Sequence, residues 1–158
     1  MNAKRILVPI DFSPCSKSAL RLAVDLANGR DATTVVVLHV VEESIPSFDE
    51  DLGVLEPEVL RTEAETLAAS RSHDVLIDAV VQYGDPADTI IEYAEQQSID
   101  LIVMGTHGNR GLWQVLLGGT AADVLRKASC PVLTVRDDSV TTLSDDDATS
   151  VTLSKQKV

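Results

Sequence analysis

A chain of 158 residues falls within the single-domain range, and with 44% hydrophobic residues it can bury a core that needs no metal or disulfide to hold it together. Twenty-five acidic residues against thirteen basic leave a net charge of −12, which repels duplex nucleic acid and anionic lipid and excludes both as partners held by general electrostatics. Two Phe, two Tyr and one Trp leave the core to aliphatic side chains, and the acidic excess leans towards a halophilic protein.

In chain order, residues 5–10 form an apolar run that predicts a buried strand directly after Met1-Asn2-Ala3-Lys4, with no signal-peptide stretch ahead of it. The run ends at Asp11-Phe12-Ser13-Pro14, where Ser13 suits a helix cap and Pro14 the first helical position. Leu20, Ala23, Val24 and Ala27 then share one helix face, which Gly29 closes. Residues 34–41 predict a second strand with both faces covered. An irregular acidic connection over 42–56 leads to a helix opened by Pro57 and carrying Leu60, Ala64, Leu67 and Ala68 inward. A third strand is expected over 75–81, followed by a turn at Gly84-Asp85-Pro86. The next helix buries Ala87, Ile90, Ile91 and Ala94.

A fourth strand over 101–104 runs into a glycine-rich loop over 105–119, longer than the usual strand-to-helix connection. A last helix buries Ala121, Val124, Leu125 and Ala128, and residues 131–136 form a fifth strand. Five strands alternating with four helices predict a doubly wound parallel sheet covered on both faces, an α/β domain over 1–136. Residues 137–158 are rich in Asp, Ser and Thr and are expected to be a disordered tail. Cys15 and Cys130 lie far apart with no C-x-x-C, neither a disulfide framework nor a zinc site. No window approaches a membrane span, and a cytoplasmic location is expected.

Ligands of open α/β sheets bind beyond the carboxyl ends of strands where the winding reverses. Two strand ends carry the residues for this: Pro9 with Asp11 after the first strand, and Gly105, Thr106, His107, Gly108, Asn109, Arg110 and Gly111 after the fourth. The loop glycines allow close backbone approach and let amides converge on an anion. Gly118, Gly119, Thr120 and Ala121 lead into the last helix, whose free amides and positive dipole end suit phosphate. Arg110 offers a movable cation. The P-loop and G-x-G-x-x-G fingerprints are missing, which excludes the common nucleotide enzymes that carry them. His107 has no identifiable nucleophile partner, so no catalytic residue is assigned, and no protein metal ligands are assigned either.

These residues resemble another family. Ile6-Leu7-Val8-Pro9-Ile10-Asp11-Phe12-Ser13, Leu38-His39-Val40-Val41 and Asp100 through Gly108 look like segments of universal stress proteins, as does the stretch from Leu116-Leu117-Gly118 to Val135. The resemblance covers residues 4–136. It implies an adenine nucleotide alpha hydrolase-like fold with strand order 3-2-1-4-5. It further implies ATP as ligand, with Asp11 on the ribose, Pro9 and the Val40 backbone near the adenine, and Mg²⁺ carried by the phosphates. The family's ATP pattern, G-x2-G-x9-G-[ST], is kept at Gly105, Gly108 and Gly118 but has Gly119 where Ser or Thr is expected. The resemblance also implies a homodimer paired through the last strand, residues 131–136. A stress-response nucleotide-binding module, with a regulatory protein partner of unknown identity, is the leading expectation. A slow ATPase and a nucleotide-free interaction protein are the alternatives.

Overall fold

Consecutive residues of the first strand, β1 (Arg5–Pro9), leave the sheet on opposite sides: Ile6 and Val8 enter one hydrophobic cluster and Leu7 the other. The period-two alternation of a strand does this without any change of residue class, so an uninterrupted Ile-Leu-Val run serves both faces at once. The same division recurs in β2 (Thr34–Val41), where Val35 and Val37 face one cluster and Val36 and Leu38 the other.

The computed structural model describes residues 3–28, 33–42, 57–69, 75–106, 119–136 and 151–154. Its remaining elements are α1 (Pro14–Ala27), α2 (Pro57–Ala68), β3 (Leu76–Tyr83), α3 (Pro86–Gln96), β4 (Leu101–Gly105), α4 (Gly119–Lys127), β5 (Val132–Val135) and β6 (Val151–Ser154). The first five strands are parallel in the order β3-β2-β1-β4-β5, as expected, with β6 added antiparallel beyond β5. Helices α1 and α2 cover one face through Leu20, Val24, Leu60 and Ala64, and α3 and α4 cover the other through Ile90, Ala94, Ala121 and Val124. Helix α1 meets the sheet through Ala19, Ala23 and Ala27, one small residue per turn, which lets its axis lie close to the strands.

Helix starts follow the expected chemistry. The Ser13 hydroxyl accepts from the Ser16 N–H and Pro14 opens α1. The Asp85 carboxylate accepts from the Asp88 N–H at 3.1 Å and Pro86 opens α3. At the amino ends of the central strands, one Asp100 oxygen accepts from the Lys4 and Arg5 amides at 2.8 and 2.9 Å and pins β1 against β4.

Three expectations need adjustment. β3 runs two residues past 81 because β2 continues as its partner to Val41↔Tyr83, after which the Gly84 N–H donates to the Val41 carbonyl. Helix α1 ends at Ala27 with Asn28 in extended backbone, and the expected stop at Gly29 lies outside the described residues. The expectation of a wholly disordered 137–158 segment does not hold at 151–154, which form β6. This strand lies along the outer edge of β5. Among the described residues, no helix is long and apolar enough to cross a membrane.

Candidate functional site

Winding reverses between β1 and β4: β1 leads outward to β2 and β3, and β4 leads the other way to β5. The carboxyl ends of these two neighbours therefore open onto the same crevice. Their register, Ile6↔Leu101 and Leu7↔Ile102, brings the residues that follow β1 beside the residues that end β4.

Asp11 is held at this crevice by its own backbone neighbours. Its Oδ1 accepts from the Ser13 N–H at 3.0 Å, an Asx turn. Ser13 Oγ then accepts from the Ser16 N–H at 3.3 Å, and Ser16 Oγ donates to the Ser13 carbonyl at 3.0 Å. Ser16 Oγ also receives the Asp11 N–H at 3.4 Å. The half-buried carboxylate thus belongs to a set of short-range bonds over Asp11-Phe12-Ser13-Pro14-Cys15-Ser16. Ser16 was not singled out from sequence. The D-x-S-x-x-S spacing is the signal that points to it, because Asp and Ser hydroxyls bond back to amides two and three residues on.

The turn forces Phe12 to φ 61, left-handed backbone that non-glycine residues seldom adopt. Its ring packs at 5.7 Å from the His39 ring, tilted by 44°. His39 Nδ1 lies 2.8 Å from the Ile10 carbonyl, an acceptor, so the proton sits on Nδ1. His39 therefore links the end of β2 to the end of β1, a structural task at the rim of the crevice. Pro9 and Val40 are half-buried at the ends of the same two strands.

On the β4 side, Gly105 approaches the start of α1 so closely that a Cβ there would lie 2.7 Å from Cys15 Cβ and 2.9 Å from the Cys15 carbonyl carbon. Thr106 follows directly after the strand. It is 2% exposed and its N–H donates to the Val135 carbonyl at 2.9 Å. The β4 ladder runs one residue further than the strand itself, so this amide is spent on the sheet and Thr106 forms part of the wall.

At the start of α4, Gly119 is exposed and Thr120 half-buried. The Ala121 side chain is buried in the core shared with α3, so only its main chain is free to serve a ligand. Residues 119–121 lie in the first turn, whose N–H groups have no acceptor within the helix. Apart from its chain neighbours and its own helix turn, no described atom lies within 4 Å of a Cβ built on Gly119. The expected contributions of His107, Gly108, Asn109, Arg110, Gly111 and Gly118 fall outside the described residues.

The cysteines do not form a reactive centre here. Cys15 is buried beneath Gly105. Burial pushes the Cys130 thiol above its ordinary range, with a smaller contribution in the same direction from Asp100 and Glu95, so the nucleophilic thiolate is scarce at neutral pH. Among the described residues, no group of three or more His, Cys, Asp or Glu is placed to hold a metal ion.

A family model described as Universal stress protein family matches residues 2–136. Universal stress protein MJ0531 of Methanocaldococcus jannaschii is 36% identical over 142 residues, covering 84% of this chain and 82% of its own. The solved structure of MJ0577, from the same organism, superposes with a TM-score of 0.71 at 29% identity, over 87% of this chain and 99% of that one. A universal stress protein solved in complex with cAMP aligns with a TM-score of 0.59 at 25% identity, over 84% of this chain and 95% of that one.

Proposed function

Since the chain belongs to the universal stress protein family, we propose that it binds ATP across the carboxyl ends of β1 and β4 and serves as a nucleotide-dependent regulatory module of the stress response. The observation that carries this reading is the pinned Asp11 carboxylate, oriented by the Ser13 amide at the point where the winding reverses. A carboxylate so placed accepts from both hydroxyls of a ribose, and charged hydrogen bonds of this kind are the stronger class. The amides of residues 119–121 at the start of α4 supply the positive end of a helix for phosphate. A relative that holds cAMP supports an adenine nucleotide as the ligand class.

A divalent ion fits this arrangement through the phosphate oxygens and water, since the described donor set contains no cluster that would hold it alone. Bound Mg²⁺ would neutralise phosphate charge that a protein of net charge −12 otherwise repels. Titration calorimetry of the purified chain with ATP and Mg²⁺, with AMP, cAMP and GTP run alongside, tests the reading. Saturable heat with an adenine nucleotide is expected, and no heat or thermal shift at millimolar ATP would sink it in favour of a nucleotide-free interaction protein.

Gly119 supplies a sharper test within the same assay. It stands where the family's ATP pattern has Ser or Thr, and the space around it is open to described atoms. Gly119→Ser is expected to tighten ATP binding by roughly 3- to 10-fold, the value of one added hydrogen bond to phosphate. Serine also suits a helix start better than glycine suits a helix interior, so the variant should melt no lower than the native chain. Unchanged affinity would place the phosphates away from position 119.

A further inference from the structure

We propose that Asp78, held by Arg61, guards the free edge of β3 and keeps a second copy of the chain from adding there as an antiparallel strand.

β3 ends the sheet on the side away from β5 and β6. Which of its main-chain groups face outward follows from one bond. The Gly84 N–H donates to the Val41 carbonyl at 3.0 Å, and Val41 is the register partner of Tyr83. In a parallel ladder a residue turns both main-chain groups to one side, and its chain neighbours turn theirs to the other. Asp78, Val80, Gln82 and Gly84 therefore turn towards β2. Ile77, Ala79, Val81 and Tyr83 turn outward, where no described strand lies. Two of the three large apolar side chains exposed among the described residues also stand on this strand, Leu76 at 63% and Tyr83 at 53%. A free edge with exposed apolar side chains is a template for strand addition between chains.

The middle of that edge is already occupied. The outward N–H of Ala79 donates to Oδ1 of the preceding Asp78 at 2.9 Å, and the same oxygen receives Arg61 Nη2 at 3.4 Å. Arg61 belongs to α2, which covers the face of Leu60 and Ala64, whereas Asp78 stands in register with Val36 and Leu7 of the opposite face. The ion pair thus joins the two faces across the outside of β3. Arg61 Nε is buried, so the side chain lies against the protein and does not extend into water. Both side chains keep part of their surface in solvent, at 41% and 49%. An incoming strand would have to strip water from a charged pair and take the amide from its acceptor.

The occupant excluded in this way is set by the strand's own sequence. Two copies of β3 related by a two-fold axis at Val80 run antiparallel, as symmetry requires. That register pairs Ala79 with Val81 and Ile77 with Tyr83 of the other copy, so it uses every outward group from 77 to 83. It also sets each exposed tyrosine ring opposite an isoleucine, a favourable cross-strand pair. In it the Ala79 N–H leaves Asp78 for the Val81 carbonyl of the second copy. Guard and second copy therefore compete for one amide. The nucleotide reading above has no part in this argument.

Asp78→Val, made in the full chain, tests the proposal. Valine suits a strand and removes both the acceptor and the charge. Sedimentation is expected to show a doubling of the native mass at concentrations where the native chain does not change mass. Adding Val81→Pro should restore the native mass, because proline takes away an outward N–H and leaves the pairing with β2 in place. An Asp78→Val chain with the native mass at every concentration would overturn the proposal. So would a heavier variant that Val81→Pro does not split, since association would then run through another surface. Amide exchange of the native chain gives a reading that needs no variant. Corrected for neighbouring side chains, Ala79 is expected to exchange about 10-fold more slowly than Ile77 and Val81, the effect of one bond to a carboxylate. Equal rates at the three positions would also overturn it.

Discussion

Asp11→Asn is expected to weaken ATP binding by about 10- to 100-fold while moving the melting temperature of the nucleotide-free protein by no more than about 2 °C. The two effects separate because the carboxylate has two tasks. Towards the protein, Oδ1 accepts from the Ser13 N–H at 3.0 Å, and an asparagine carbonyl keeps both that acceptor and the shape of the Asx turn. Towards the ligand, a charged acceptor for two ribose hydroxyls becomes a neutral amide with one acceptor and one donor. Bonds to charged groups contribute about 1.5–3 kcal/mol each, and that margin is what the substitution removes. Calorimetry and thermal melting on the same preparation measure both quantities. Unchanged affinity would remove Asp11 from the site, and a large loss of melting temperature would make its role structural.

Gly105→Ala is expected to lower the melting temperature by roughly 3–10 °C, the counterpart of about 1–3 kcal/mol of overpacking. The added methyl would sit 2.7 Å from Cys15 Cβ, 2.9 Å from the Cys15 carbonyl carbon and 3.0 Å from the Ser16 amide nitrogen. Two of these atoms are backbone at the start of α1, so no side-chain rotation relieves the contact. The helix start has to move, and with it the Ser13 and Ser16 bonds that orient Asp11. Nucleotide affinity should therefore fall along with stability. Gly105 and Gly119 belong to one sequence pattern, yet the first is glycine because protein fills the space and the second faces open space among the described residues. Thermal denaturation of the two variants side by side, Gly105→Ala lower and Gly119→Ser unchanged or higher, checks the contrast.

The parallel strands were legible because their apolar runs are unbroken and their ends carry Asp, Gly or Pro. Residues 34–41 match β2 end to end, and Ser13, Pro14, Asp85 and Pro86 stand at the helix starts where their chemistry suits them. Strand order is a different matter. Periodicity places residues on faces and says nothing about which strand lies beside which, so the order 3-2-1-4-5 came with the resemblance. β6 was missed because its four residues gain their structure only from the register with β5, a tertiary contact that composition cannot reveal. At the site, Asp11 and Gly105 stood out as unusual residues at strand ends. The main-chain bond of Thr106 was not legible because the ladder's continuation to the Val135 carbonyl depends on a neighbour 29 positions on. Ser16 was passed over because a serine in a first helical turn is ordinary until its hydroxyl is seen to meet the Asp11 amide.

The left-handed backbone at Phe12 sets the angle preferred by the chain against the side chain it carries. A side chain at φ 61 costs on the order of 1 kcal/mol, and a β-branched residue would suffer more. Glycine would relieve that cost but would surrender the ring that rests on His39, and asparagine would tolerate the angle but bring no such surface. Position 12 thus answers to two demands that oppose each other, the backbone angle and the ring contact.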